Sequence, residues 1–175
     1  MNTRSPLLSL VFSLGLAVAA AQAETTVKLT NVHLCCNSCV KGVDKAIAGV
    51  GGVTAACDRP SETVTLTAPD KAAAQKAVDA LVAAGYYGRS GDAEVKVKDT
   101  SMAKNAKTTS LTVADVHLCC DKCVKAVDKA VTSVKGVTGH TAEKNAKTFE
   151  VKGDFNQKEV FSALQSAGLT GKAAK

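Results

Sequence analysis

The sequence predicts an α+β protein built from two small units of one β-α-β-β-α-β pattern in tandem. Three observations predict it. Segments 27–54 and 111–138, aligned at an offset of 84 residues, share 16 of 28 positions. In each copy an alternating apolar stretch is followed by an apolar stripe at helical spacing, then by two more alternating stretches and a second helical stripe. Glycines punctuate both copies at corresponding places.

In the first unit, Thr26 to Val32 reads as a strand whose alternation weakens at Asn31-Val32. Asn37 is the expected N-cap of a helix with Val40, Val43, Ile47 and Val50 on one face, ended by Gly51-Gly52. Val53 to Cys57 and Thr63 to Thr67 read as strands around the turn Asp58-Arg59-Pro60-Ser61. Lys71 to Ala84 is a second helix with Ala74, Val78 and Leu81 inward, ended by Gly85. Glu94 to Lys98 alternates and is the expected closing strand. This order is the ferredoxin-like split pattern.

The second unit repeats it. Leu111 to Val116 is a strand, and Asp121 takes the place of Asn37 as cap. Val124, Val127, Val131 and Val134 form the stripe, and Gly136 ends the helix. Val137 to Thr141 and Lys147 to Lys152 pair as strands. Asn156-Gln157-Lys158-Glu159 is a capping box before Val160, Phe161, Leu164 and Ala167, and Gly168 ends that helix. The tail LTGKAAK is short and polar, so the second unit is expected to lack its last strand. Such an open sheet edge would offer a place for a homodimer to form.

Residues 1–23 read as a signal peptide. Arg4 supplies the positive start, Leu7 to Ala21 the apolar run, and Ala21-Gln22-Ala23 the cleavage site, with the mature chain from Glu24. The expected location is therefore periplasmic or secreted, with membrane association only through an uncleaved leader. Residues 24–98 form the first unit, 99–108 a polar linker expected to be a loose tether, and 109–175 the second unit. Removing Arg4 lowers the formal charge from +6 to +5. The lysines alternate with acids on helix faces, and no aromatic residues interleave with them, so no nucleic-acid signature is present.

Six of the seven cysteines fall in two tight groups, HLCCNSC at 33–39 and HLCCDKC at 117–123. A framework of staples would be spread along the chain instead. Two cysteines three apart at a helix start can turn both sulfurs to one point, where the amide dipoles favour thiolates. Thiolates select soft ions such as Cu(I), Hg(II), Zn(II) or Cd(II). Cys36 with Cys39, and Cys120 with Cys123, are thus two candidate metal sites, with resting disulfides as the other reading. Cys35 and Cys119 are further candidate donors, or small buried hydrophobes. His33 and His117 are candidate ligands, or polar residues at a strand exit. Cys57, matched by Thr141, reads as a strand residue or a free thiol able to cross-link a dimer.

The element order, the Cys-x-x-Cys between first strand and first helix, the following VKxVDKA, the Gly-Val pairs (Gly52-Val53, Gly136-Val137) and Ala84-Gly85-Tyr86 resemble heavy-metal-associated domains. These are the modules of copper chaperones, of copper-transporting ATPase N-termini and of the periplasmic mercury-binding protein. The resemblance implies that Cys36, Cys39, Cys120 and Cys123 are the metal ligands and that Tyr86 lies near the metal loop, where its ring can shield the site. The chain departs from the family's Gly-Met-Thr-Cys at His33-Leu34-Cys35-Cys36 and His117-Leu118-Cys119-Cys120. The leucines keep an apolar plug, and the extra thiols and imidazoles open the choice of metal.

The expected function is an exported, non-enzymatic binder of a soft metal, Cu(I) first and Hg(II) next, with Zn(II) and Cd(II) as other ions the sites could take. The expected partners are the ion and a membrane metal transporter. A thiol–disulfide oxidoreductase using the same cysteines is the alternative from another class; it lacks a thioredoxin-like pattern and a neighbouring Trp or Pro. A metal-stabilised interaction module is the third.

Overall fold

A computed structural model describes residues 24–174; the signal peptide expected at 1–23 lies outside the described residues. The first unit runs β1 (Thr25–Thr30), α1 (Asn37–Ile47), β2 (Thr54–Asp58), β3 (Thr63–Ala68), α2 (Lys71–Ala83) and β4 (Arg89–Ser90). The second runs β5 (Lys107–Ala114), α3 (Asp121–Thr132), β6 (Val137–His140), β7 (Thr148–Asn156), α4 (Gln157–Ser166) and β8 (Lys172–Ala173). The sheets are antiparallel, in the orders β2-β3-β1-β4 and β6-β7-β5-β8. This is the ferredoxin-like arrangement twice, as expected.

The helices cover one face of each sheet because their stripes are apolar. Val43 and Ile47 of α1 are buried in one apolar core with Val27, Leu29, Val64 and Leu66, and Val127 and Val131 of α3 with Leu111, Val113, Phe149 and Val151. Asp70 caps α2 by accepting from Ala73 N at 2.7 Å, and Asn156 caps α4 by accepting from Lys158 N at 2.9 Å.

Three expectations are corrected. The second unit does have its last strand: Val113 pairs with Ala173 and Ala114 with Lys172. Two residues suffice there, as they do in β4, and the tail is fixed on its other side by Ala173 N donating to Ser101 O at 2.8 Å. β5 is thus paired on both sides at Val113 and Ala114. The closing strand of the first unit is β4, not Glu94–Lys98. The later segment instead lies along α2: Gln75 donates to Lys96 O and accepts from Lys96 N, both at 2.8 Å, while Val95 is buried. Its alternation records one buried face, and the β1 edge was already taken.

The linker is docked rather than loose. Ser101 is buried, Gln157 N donates to Ala106 O at 3.1 Å, and β5 begins at Lys107. The two units also meet face to face. Tyr87 N donates to Gly168 O at 3.1 Å and Thr170 N to Gly85 O at 3.0 Å, joined by a Tyr86–Leu169 bridge. His33 N donates to Gly168 O at 3.2 Å, and Asn31 Nδ2 to Ser166 O at 3.2 Å. The glycines that end α2 and α4 adopt φ of +87° and +75°, and a Cβ on either would overlap the other unit's backbone. Each unit's second-helix turn therefore sits on the other unit's first loop.

Candidate metal centre

Each strand-to-helix loop starts from a left-handed residue, Asn31 (φ 57°) and Asp115 (φ 61°), types that tolerate this conformation. Leu34 and Leu118 are buried as plugs, and Val32 N donating to Glu62 O at 2.9 Å and Asn145 N to Leu118 O at 2.7 Å fix the loops. The helix N-caps are Cys36 and Cys120 themselves, one residue earlier than expected, with φ of −158° and −157° and no side-chain cap bond. Their sulfurs are thus free to face outward from the helix start. Asn37 is instead the first helical residue and accepts from Arg59 Nη1 at 2.7 Å.

Cys39 and Cys123, one turn in, are fully buried; Cys35, Cys36, Cys119 and Cys120 are half-buried. The two Cys-x-x-Cys pairs have equal separations, Cys36–Cys39 and Cys120–Cys123 both 3.8 Å. The two expected Cys-x-x-Cys pairs do not stand apart: their sulfurs face each other. Cys35 lies 3.3 Å from Cys120 and 3.5 Å from Cys123; Cys36 lies 3.8 Å from both Cys119 and Cys120. Cys39 lies 3.5 Å from Cys119 and 4.0 Å from Cys123. Cys35 and Cys119 also approach their own unit's buried cysteine, at 3.5 and 3.7 Å. The loops bend enough that adjacent cysteines converge, so all six sulfurs form one cluster between the units. Cys57, on β2 opposite Val64, is outside it.

The protons in this cluster are unevenly held. The hydrogen bond from Cys123 holds Cys39 well below the ordinary thiol range despite burial, with help from His117 and Cys119. Cys123 is pushed up by that same bond and by burial. Burial raises Cys35 and Cys119. Burial opposes ionisation of Cys120, yet the backbone amides of Cys123 and Lys122 and the Cys35 thiol bring it to about 7. Thiolates here are stabilised by neighbouring S–H donors and by two helix N-termini. A soft cation can replace those protons.

The histidines differ. Tyr86 donates its only hydroxyl proton to Cys39 O at 2.7 Å, so His117 Nε2, 3.0 Å from that hydroxyl, must be the donor to it. His117 Nε2 therefore carries hydrogen and is not a free lone pair. The rings stack with centroids 4.5 Å apart. Gly42 leaves room for this pair, since a Cβ there would overlap the Tyr86 hydroxyl. In the repeat the corresponding residues are Ala126 and Leu169, which offer His33 no such partner. His33 Nε2 is buried without a hydrogen bond, and a His33 ring nitrogen lies within 4.8 Å of the Cys35 and Cys123 sulfurs. The Gly42–Tyr86–His117 relation was missed in the sequence, although the Gly42/Ala126 and Tyr86/Leu169 differences between the repeats carried its signal.

No protein-family model matches the chain, and no curated protein does. Among solved structures, the N-terminal soluble domains of Bacillus subtilis CopA are similar at 16% identity and a TM-score of 0.30, over 87% of this chain and 95% of that one. The first two RRM domains of the yeast poly(U) binding protein Pub1 are similar at 11% identity and a TM-score of 0.25, over 86% and 98%. Similarities this low carry no functional conclusion.

Proposed function

We propose that the chain is an exported soft-metal-binding protein that sequesters Cu(I) as cargo in the thiolate cluster between its two units. The single observation that carries this reading is the convergence of six thiols from both units to separations of 3.3–4.0 Å. Sulfur-only donor sets favour Cu(I) and other soft ions over hard cations, and Zn(II) would need four of the sulfurs in one tetrahedral closure. Export rests on the leader pattern at 1–23. Cys36, Cys39, Cys120 and Cys123 are ligands in this reading, joined by Cys35 and Cys119.

The facing arrangement favours holding over delivery. An open two-thiol site hands its ion to a partner's thiols by ligand exchange. Here the second unit already occupies the place where a transporter's thiols would approach. The test is competition of the reduced protein against Cu(I) chelators of known affinity, with the C36S/C120S variant beside it. Tight binding lost in the variant supports the reading. Absence of tight binding, with reversible disulfide turnover on the same cysteines, would move the function to thiol–disulfide exchange.

A further inference from the structure

The six sulfurs are ordered as well as clustered. Besides the separations given above, Cys35–Cys36 and Cys119–Cys120 each lie within 4.8 Å. Each sulfur then adjoins four others, and the pairs outside these contacts are Cys35–Cys119, Cys36–Cys123 and Cys39–Cys120. That is the connectivity of an octahedron with three corners from each unit.

Four alternate faces of this octahedron are the triads Cys35/Cys36/Cys120, Cys36/Cys39/Cys119, Cys119/Cys120/Cys123 and Cys35/Cys39/Cys123. The first three each gather within 4.8 Å, and the last has edges of 3.5, 3.5 and 4.0 Å. Any two of these triads share one sulfur, and every sulfur belongs to two of them. A triangle with 3.8 Å edges, as at Cys36–Cys39 and Cys36–Cys119, has its centre about 2.2 Å from each corner (3.8/√3). That is close to the roughly 2.3 Å of a zinc–thiolate bond, so a first-row soft cation fits a face of this size.

We infer, building on the metal-sequestering reading above, that the centre takes four Cu(I) ions as one cluster. Each ion sits in a three-sulfur face and each sulfur bridges two ions. The step balances without a redox partner: four Cu⁺ and six thiolates give a Cu₄S₆ core of charge 2−, and each cysteine still protonated, unlike Cys39, releases one proton. The copper is supplied as Cu(I), and no electron is transferred. A three-sulfur face suits Cu(I), whereas Zn(II) would draw a fourth ligand from a further sulfur or from His33. Three-coordination also explains why both loops carry a third cysteine, since two-sulfur sites need only Cys36, Cys39, Cys120 and Cys123. Half-buried His33, whose Nε2 is buried without a hydrogen bond, has a ring nitrogen within 4.8 Å of the Cys35 and Cys123 sulfurs, where the anionic core forms.

The experiment is an anaerobic Cu(I) titration of the reduced protein followed by native mass spectrometry, with X-ray absorption on the loaded form. The expected result is a direct shift from the metal-free to the four-copper species, three sulfurs per copper and short copper–copper scattering. C35S/C119S, which removes one opposite pair of corners, should lower capacity from four to two or fewer and abolish the copper–copper signal, with far-UV circular dichroism checking the fold. Two coppers per chain in both proteins, without copper–copper scattering, would overturn the cluster and leave the sequestering reading intact. No tight Cu(I) in the unmodified protein would overturn both.

Discussion

Tyr86 of the first unit stacks on His117 of the second with ring centroids 4.5 Å apart, while its hydroxyl holds the Cys39 carbonyl at 2.7 Å. One side chain thus ties the buried cysteine of one unit to the loop of the other. Tyr86→Phe keeps the ring and removes the hydroxyl, leaving the Cys39 carbonyl and the His117 N–H short of a partner. The expected cost is about 1–3 kcal/mol, read as a lower urea midpoint at unchanged slope. An unchanged midpoint would contradict the coupling.

Gly42 gives a prediction against the usual rule. Glycine to alanine inside a helix ordinarily stabilises by about 1 kcal/mol. At Gly42 the new Cβ would overlap the Tyr86 hydroxyl and come within 2.8 Å of His117 Cε1. Gly42→Ala, although it restores the residue found in the repeat, should therefore destabilise by about 1–2 kcal/mol through the lost hydrogen bond. In Tyr86→Phe the same change should cost less. Thermal midpoints of the four proteins of this cycle test it.

Gly168 tests the docking of the two units. A Cβ there would lie 2.5 Å from His33 N and 2.6 Å from Asn31 O, at a φ of +75°. Gly168→Ala should separate the units, seen as a larger radius of gyration and faster exchange of the Tyr87 and Thr170 amides. Gly49→Ala, with nothing within 4 Å of its Cβ, should leave both unchanged.

The thiols fix the sign of the pH dependence of the metal-free protein. Cys35, Cys119 and Cys123 are raised above 9.0, their ordinary value, so the folded chain keeps protons that the unfolded chain loses. Stability from these groups is full below about pH 9 and falls as pH rises above it. Cys39 and Cys120 are lowered, so their contribution is full above pH 9 and, for Cys120, fades as pH falls toward about 7. Urea midpoints should therefore rise from pH 7 to 9 and decline above it. C35S/C119S should flatten the alkaline decline. A midpoint that kept rising beyond pH 10 would contradict this assignment.

The repeat made the fold legible because alternation and helical stripes report which face is buried. They do not report what pairs with an edge. Glu94–Lys98 and the polar tail show the difference: the first alternates yet packs on α2 through Gln75, and the second does not alternate yet completes a sheet. The six cysteines were legible as soft-metal donors. Their union into one cluster was not, because spacing within a repeat is silent about how two repeats face each other. That information lay in Gly85 and Gly168, which read only as helix stops and also admit the other unit's backbone.

Removing the thiols of one unit decides whether the two units share one metal centre. C119S/C120S/C123S leaves Cys35, Cys36 and Cys39 intact, and its Cu(I) affinity and stoichiometry can be measured by chelator competition. A shared centre predicts that tight binding collapses in both units, with less than half of the unmodified protein's copper retained at comparable affinity. Retention of half the copper at the original affinity would show two independent sites and rule out a shared centre.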